Sequence, residues 1–180
     1  MTTLSQWKAR LAGLPNTMWF SKFPINPLTV FHITSKSFAF TNLKPVIPGH
    51  VLVSPIRIVD RFTNLTSEET EDLFLCAKLV GDALLYTHPH ADSLTITIQD
   101  GKSAGQTVPH LHIHIMPRWK DDPFNLDRKG NDAIYQEIDK AEEKLGNRID
   151  EIGLPRTADC MITEAQNLRE SLEYLLSKSG

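Results

Sequence analysis

The chain has 180 residues, of which 41% are hydrophobic and 23% charged, a composition typical of globular proteins and unlike that of disordered or fibrous chains. We therefore expect one domain that spans residues 1–180. The net charge is −3, and residues 60–180 contain all 22 acidic residues. This negative net charge disfavours a protein that binds nucleic acid along its surface. No apolar run approaches the roughly 18 residues that a membrane span needs, so no membrane partner is expected.

The N-terminal segment and the cysteines bear on location. Residues 1–14 lack acidic residues and carry apolar side chains at helical spacing, which predicts a plain N-terminal helix, with a mitochondrial transit peptide as the alternative. Cys76 and Cys160 form no disulfide framework and no metal-ligand spacing, which indicates a reducing compartment and two packing thiols. We expect a cytoplasmic protein, with the nucleus and the mitochondrion as alternatives.

The first half of the chain predicts three strands and a helix. The runs TVFHI and SFAFT are rich in β-formers and are separated by residues 34–36, a spacing typical of a tight hairpin. The run HVLVSPI predicts a third strand that ends near Pro55. Thr66 and Glu69 have the spacing of a capping box, and apolar residues recur at helical spacing beyond them. We therefore expect a helix over residues 66–87.

The second half predicts two more strands and further helices. SLTITIQD alternates apolar and polar residues, as a half-buried strand does, and QDGKSAGQTVP follows as a turn. HLHIHIMP alternates again and should end at Pro117. Beyond it we expect a hydrophilic loop at residues 118–132, a charged helix at 133–145 and an amphipathic helix at 158–177. The pattern is that of an α+β fold, a mainly antiparallel sheet of about five strands with helices on one face.

His110, His112 and His114 share one face of the last strand, opposite Leu111 and two isoleucines. Three histidines on one face of a strand are unusual for a plain solvent-exposed surface, so a functional site is favoured. A zinc site is one alternative, but at a rise of about 3.3 Å per residue the outer two lie roughly 13 Å apart, so only two could share an ion with His50 or Asp100. Nucleophilic catalysis is favoured, because crowding disfavours charge on the central imidazole, and this points to His112.

A glycine-rich turn lies directly before the histidine strand. Gly101 and Gly105 leave room for an anion to approach backbone N–H groups and the side chains of Gln106 and Thr107. The turn therefore favours a phosphate-containing substrate.

The residues from His110 to Met116 match the pattern His-φ-His-φ-His-φ-φ, where φ is apolar, and so resemble the histidine triad (HIT) superfamily. The stretches NLKPVIPGHVLVSP, IQDG and AGQTVPHLHIHIMPR resemble its Fhit branch of diadenosine triphosphate hydrolases, the fungal members in particular. The likeness runs from about Phe20 to Arg118. It implies a HIT-like fold with a triad core at about 20–118, followed by a loop and C-terminal helices at 119–180.

The resemblance implies hydrolysis of a dinucleoside polyphosphate through a nucleotidyl-histidine intermediate. His112 would attack the α-phosphorus, ADP would leave, and water would release AMP. His110 is expected to support the phosphate site and His50 to support the triad from a neighbouring strand. His114 is expected to contact the phosphates near the scissile bond. It also favours hydrolysis over transfer, because the nucleotidylyltransferases of the superfamily have glutamine at this position.

The resemblance also implies substrate-binding positions, a metal requirement and an oligomeric state. The positions comprise a ribose-binding asparagine and several phosphate contacts: Asn42, Gln99, Gly105, Gln106, Thr107, Val108 and His114. A divalent cation, Mg or Mn, is expected to accompany the polyphosphate, without a tightly bound protein metal. Members of the family are homodimers, and we expect the same here.

Two features depart from the human-type Fhit pattern. Phe23 stands where those proteins have a substrate-contacting histidine. The loop at residues 119–131 is longer, contains proline and lies where the second nucleotide should project. The sequence therefore leaves the choice between triphosphate and tetraphosphate open. The alternative functions are an adenosine phosphoramidase, another nucleotidyl hydrolase of the superfamily, and a nucleotide-binding signalling module.

Overall fold

The computed structural model describes residues 18–124, 134–138 and 156–178. Its regular elements comprise seven strands and two long helices, with residues 134–138 helical as well. The strands are β1 (Met18–Phe20), β2 (Phe23–Ile25), β3 (Val30–Ile33), β4 (Ser37–Thr41), β5 (Val51–Pro55), β6 (Ser93–Thr97) and β7 (Ile113–Arg118). The helices are α1 (Ser67–Thr87) and α2 (Ala158–Lys178).

Five of these strands form one antiparallel sheet in the order β3-β4-β5-β7-β6, which confirms the predicted sheet. The β3–β4 hairpin turns at residues 34–36, as the sequence predicts, and the Thr34 N–H donates to the Ser37 carbonyl over 2.9 Å. β1 and β2 form a separate two-stranded hairpin that the sequence analysis missed. This hairpin becomes important at the functional site.

The predicted capping box starts α1. The Thr66 hydroxyl accepts a hydrogen bond from the Glu69 N–H at 3.2 Å, and the Glu69 carboxylate accepts one from the Thr66 N–H at 2.9 Å. Two of the N–H groups that a helix start leaves without partners are therefore satisfied. The prediction of a helix over residues 66–87 is confirmed.

Both helices cover one face of the sheet. The core there joins three apolar side chains of the histidine segment to both helices: Leu111, Ile113 and Ile115 pack with Leu73, Val80 and Leu84 of α1 and with Ala165, Leu168 and Leu172 of α2. Burying a leucine or isoleucine side chain contributes about 1.5–3 kcal/mol. The apolar half of the alternation therefore fixes which face of the sheet meets the helices.

The opposite face carries the histidines and a second apolar cluster. The β1–β2 hairpin contributes Met18 and Phe20 to it, and β4 contributes Phe38 and Phe40. Phe20 lies 5.3 Å from Phe40, centroid to centroid. This cluster holds the hairpin over the histidine face and so builds one wall of a cavity.

The histidine strand differs from its predicted bounds at both ends. β7 runs over Ile113–Arg118, whereas the alternation predicted a strand from residue 110 that ends at Pro117. Residues 110–112 bond elsewhere: the Leu111 N–H donates to the Val59 carbonyl at 2.6 Å, and the Ser54 hydroxyl donates to the Leu111 carbonyl at 2.7 Å. Pro117 is tolerated inside β7 because the pairing with β5 stops at Ile115.

Two side chains are placed differently from expectation. Ile96 is 52% exposed although its alternation predicted a half-buried strand, because β6 is the outermost strand of the sheet; Leu94 and Ile98 pack against the core as predicted. Cys76 is a buried packing thiol, and burial raises its pKa to about 12. Cys160 is exposed on α2, so the prediction that it packs is wrong.

Several expectations fall wholly or partly outside the described residues. The predicted N-terminal helix lies there, as do most of the 119–131 loop and of the helix at 133–145. The single-domain assignment stays a prediction. In the described part of the chain, neither long helix is apolar enough to cross a membrane.

Candidate active site

A cavity of about 490 Å³ opens on the histidine face of the sheet. Its walls come from the β1–β2 hairpin, the end of β4 with the loop that follows, β5 and the start of α2. The lining is mainly apolar, and its polar groups include three histidines, Asn42, Lys44 and Arg156. The lining residues include Phe20, Phe23, Asn42, His50, Val108, His112, His114, Arg156 and Met161.

His112 is held in one tautomer by the backbone. Its Nδ1 lies 2.8 Å from the His110 carbonyl oxygen, which can only accept, so Nδ1 carries the proton. The lone pair of the ring is then on Nε2. The Phe20 ring meets the His112 ring edge to face at 5.1 Å and 84° and fixes its plane. His112 is therefore oriented so that Nε2 can act as the nucleophile, as the sequence predicts.

His50 and His114 form a relay beside His112. The Val46 N–H donates to His50 Nδ1 at 3.3 Å, which leaves the proton of that ring on Nε2. His50 Nε2 then donates to His114 Nδ1 at 2.9 Å. His114 must carry its own proton on Nε2, and its ring lies 4.7 Å from that of His112. The arrangement places an N–H donor next to a nucleophilic nitrogen.

His110 takes a different part from the other two triad histidines. Its Nδ1 accepts a hydrogen bond from the Ser21 N–H at 3.0 Å, and its Nε2 donates to the Pro55 carbonyl at 2.9 Å. Burial lowers the pKa of His110 to about 4, so the ring is neutral at pH 7. The side chain ties the turn of the β1–β2 hairpin to the end of β5. It supports the site through the backbone and does not line the cavity.

Asn42 lies on the cavity wall next to His50. Its Oδ1 accepts a hydrogen bond from the Lys44 N–H at 3.0 Å, and its Nδ2 lies 3.3 Å from His50 Nδ1. The side chain is thus fixed by its own loop, with one edge toward the cavity. Val108, also predicted from the resemblance, lines the same cavity.

The remaining predicted phosphate positions are not among the described residues that line the cavity. They are Gln99, Gly105, Gln106 and Thr107. Gly105 adopts a φ of +89°, a left-handed conformation that favours glycine. Gln106 braces the turn, because its Oε1 accepts from the Gly101 N–H at 2.8 Å and its Nε2 donates to the Asp60 carbonyl at 2.9 Å. The structure thus gives the Gln106 side chain a structural task.

Sequence reasoning missed most of the cavity lining, including Phe20, Arg156 and Met161. Phe20 comes from the overlooked hairpin, whose short strands gave little periodic signal. Arg156 lies just before α2 and Met161 in its first turn, more than 40 residues beyond the triad, and only the folded chain brings them close. Phe23, noted as a departure, lines the same cavity and is 39% exposed.

The zinc alternative has little geometric support. His50 and His114 direct their nearest nitrogens at each other, and Asp100 is engaged by Arg61 at 3.1 Å and by the Phe62 N–H at 2.8 Å. Within residues 18–124, 134–138 and 156–178, no three His, Cys, Asp or Glu side chains are grouped so that they could hold a metal ion.

The chain is similar to many curated proteins, of which two show the range of activities in their names. The bifunctional bis(5'-adenosyl)-triphosphatase/adenylylsulfatase of Arabidopsis thaliana is 50% identical over 131 residues, which cover 73% of this chain and 69% of that protein. The asymmetrical bis(5'-nucleosyl)-tetraphosphatase of Schizosaccharomyces pombe is 45% identical over 134 residues, covering 74% of this chain and 70% of that protein.

A solved structure and a domain family complete the comparison. The diadenosine triphosphate hydrolase of Plasmodium falciparum superposes with a TM-score of 0.67 at 26% identity and covers 93% of this chain and 97% of that one. The HIT domain matches residues 25–121, which contain the three histidines, His50 and Asn42. With its fold, its histidine face and its relatives in agreement, the chain belongs to the HIT domain family.

Proposed function

We propose that this chain is a dinucleoside polyphosphate hydrolase that cleaves diadenosine triphosphate and water into AMP and ADP. The observation that carries the proposal is that His112 and His114, side by side in the cavity, hold their ring protons on opposite nitrogens: Nδ1 in His112 and Nε2 in His114. These are called the opposed tautomers below. The His110 carbonyl keeps the lone pair of His112 on Nε2, and the relay from His50 keeps an N–H on His114 Nε2. A nucleophile and a donor for phosphate oxygen are thus adjacent before any substrate binds.

In the first step, His112 Nε2 attacks the α-phosphorus and the bond to the bridging oxygen breaks, so that ADP leaves. The bond formed is P–N, and the positive charge on the imidazole is offset by the Nδ1–H hydrogen bond to the His110 carbonyl. The His114 N–H stabilises the negative charge that develops on phosphate oxygen. Since ADP is a good leaving group, positioning and charge stabilisation are the main tasks of the protein.

In the second step, water attacks the same phosphorus, the P–N bond breaks and AMP is released. His112 recovers its lone pair, and the proton of the water passes to solvent. The cavity of about 490 Å³ is of the size that small-molecule sites typically have, and its apolar lining suits a nucleoside. Asn42, on the wall of that cavity, is proposed as the ribose contact.

The polyphosphate and the oligomeric state extend the proposal. A divalent cation, Mg or Mn, is proposed to enter as part of the substrate, bound to its phosphates. The chain is further proposed to act as a homodimer. In support, β6 is the last strand of the sheet, and within the described residues no strand pairs with its outer edge, where another copy could bind. A relative named for triphosphate hydrolysis is 50% identical to this chain and one named for tetraphosphate hydrolysis is 45% identical. Both substrates therefore belong in the assay.

The test uses diadenosine triphosphate and magnesium in water enriched in heavy oxygen, with the wild type and His112→Asn. We expect AMP and ADP from the wild type, with the label only in AMP, and almost no turnover by the variant. His90→Asn removes an exposed histidine outside the cavity and serves as the matched control. Label in ADP, or an active His112→Asn protein, would contradict the attack by His112.

A second candidate is the removal of adenylate from other leaving groups. The nucleotidyl-histidine intermediate is the same whatever group leaves, and the Arabidopsis thaliana relative is named for adenylylsulfatase as well as triphosphatase activity. Faster turnover of adenosine phosphoramidate or of adenylyl sulfate than of the dinucleotide would favour this candidate. Tight binding of the dinucleotide with negligible turnover would instead favour a nucleotide-binding signalling module.

A further inference from the structure

Arg156, just before α2, makes close contacts with the loop that carries Asn42. Its backbone N–H donates to the Leu43 carbonyl at 3.0 Å, and its Nε and Nη2 donate to the Asn42 carbonyl at 3.1 and 2.6 Å. Its Nη2 also lies 2.8 Å from a carboxylate oxygen of Glu164, which is on α2, eight positions further along the chain. The guanidinium is therefore fixed between the helix and the loop, with its side chain 17% exposed.

The contacts continue from Asn42 to the histidines of the cavity. The Asn42 amide nitrogen lies 3.3 Å from both ring nitrogens of His50, and His50 Nε2 lies 2.9 Å from His114 Nδ1. Because His50 Nε2 carries the proton, only Nδ1 can accept a hydrogen bond from the amide. The His114 ring in turn touches that of His112. Arg156 therefore holds the backbone carbonyl of Asn42, and the side-chain amide of the same residue leads through His50 to His114.

The helix that follows Arg156 is firmly attached to the body. Arg169 of α2 is 6% exposed and donates from Nη2 to the carbonyls of Leu28 and Val30, the latter at 2.8 Å. Leu168 and Leu172 are buried in the main core. Because α2 is held in this way, Arg156 has a rigid support from which to hold the Asn42 loop.

We propose that Arg156 is a positioning residue for catalysis, which acts through Asn42 and His50 to keep the proton of His114 on Nε2. The matched HIT domain ends at residue 121, so this role belongs to a part of the chain beyond it. The proposal rests on the proposed function for its effect on turnover, but not for its effect on the histidine tautomers. Lysine can replace the charge of Arg156 but not its two-pronged contact with one carbonyl.

Two measurements test the proposal with the full chain. Arg156→Gln should lower kcat for diadenosine triphosphate about tenfold, the effect of weakening one charge-assisted contact, whereas Arg156→Lys should restore part of it. In nitrogen-15 spectra of the substrate-free protein, the His114 ring should be one tautomer in the wild type and a mixture in Arg156→Gln. Lys178→Ala, which removes an exposed cation from the end of α2, is the control and should change neither readout.

The two readouts separate two kinds of failure. A wild type that does not hydrolyse the dinucleotide would contradict the proposed function, while the spectra would still test the positioning role. Unchanged His114 signals in Arg156→Gln would overturn that role, as would a full kcat at saturating substrate. A lower melting temperature with an unchanged tautomer would also overturn it, because it would leave Arg156 as a purely structural residue.

Discussion

The two faces of the histidine segment, residues 110–115, are stabilised by different interactions. On the helix face, Leu111, Ile113 and Ile115 are held by shape and apolar burial, and any well-fitting apolar neighbour serves. On the cavity face, each histidine depends on specific partners: backbone carbonyls for His110 and His112, and another imidazole for His114. The comparison teaches that alternation in sequence assigns a side chain to a face, whereas its chemistry is set by the groups that its atoms meet there.

The largest expected effect lies on the helix face. Ile115→Ala should lower the free energy of unfolding by about 2–5 kcal/mol, because it opens a cavity in the main core. Its neighbour across the β6–β7 pairing, Ile96, is exposed, and Ile96→Ala should change stability by less than about 0.5 kcal/mol. Urea denaturation measures both. Equal losses for the two variants would show that apolar burial does not distinguish the two positions.

On the cavity face, acid should destabilise the protein through His110. The pKa of His110 is about 4 in the folded protein, below the ordinary histidine value of 6.5 that applies to the unfolded chain. Between pH 4 and pH 6.5 the unfolded chain therefore binds more protons than the folded protein. The contribution of His110 to the free energy of unfolding is therefore fully present above pH 6.5. It is lost as the pH falls toward 4, by about 3 kcal/mol at 1.36 kcal/mol per pKa unit. Denaturation at several pH values measures this slope, and His110→Gln should flatten it. An unchanged slope in that variant would assign the acid sensitivity to other groups.

The hydrogen bond from His50 to His114 predicts a smaller effect, which is measured on catalysis. His50→Leu removes the donor to His114 Nδ1 and should lower kcat about 10- to 100-fold, as expected when a buried polar group loses its partner. His50→Gln can still donate and should retain more activity. Steady-state kinetics of both folded variants make the comparison. Equal activity in the two would show that the His50 N–H has no part in orienting His114.

The smallest effect is expected in the glycine turn. Gln106→Ala removes the brace between Gly101 and Asp60 and should cost about 1 kcal/mol of stability. KM for the dinucleotide should change little, because Gln106 does not line the cavity in the described part of the chain. Thermal denaturation and KM are measured on the same variant. A large rise in KM at unchanged stability would restore the phosphate-binding role that the resemblance implies.

The sequence predicts the fold well because its signals are local. The capping box at Thr66 and the alternation around Ile113 each describe contacts within one element or one face. The ends of β7 could not be predicted, since residues 110–112 bond to Val59 and Ser54, whose nearness is a product of folding. The exposure of Ile96 likewise depends on where its strand lies in the sheet.

The candidate site divides in the same way. The triad and His50 could be identified from a short motif, and the structure brings His50, His112 and His114 together at the cavity. The opposed tautomers could not, because they depend on single hydrogen bonds to the His110 carbonyl and to the Val46 N–H. Arg156 had no local signal at all, because its importance comes from a contact with Asn42, 114 positions earlier.

The most direct test of the account is to trap the intermediate on His112. The wild-type protein is mixed rapidly with diadenosine triphosphate and magnesium, stopped in alkali, where the P–N bond survives, and analysed by peptide mass spectrometry. We predict an adenylyl group on the peptide that contains the triad, located on His112. An adenylyl group on another residue, or full product release without any adduct at the earliest times, would contradict it.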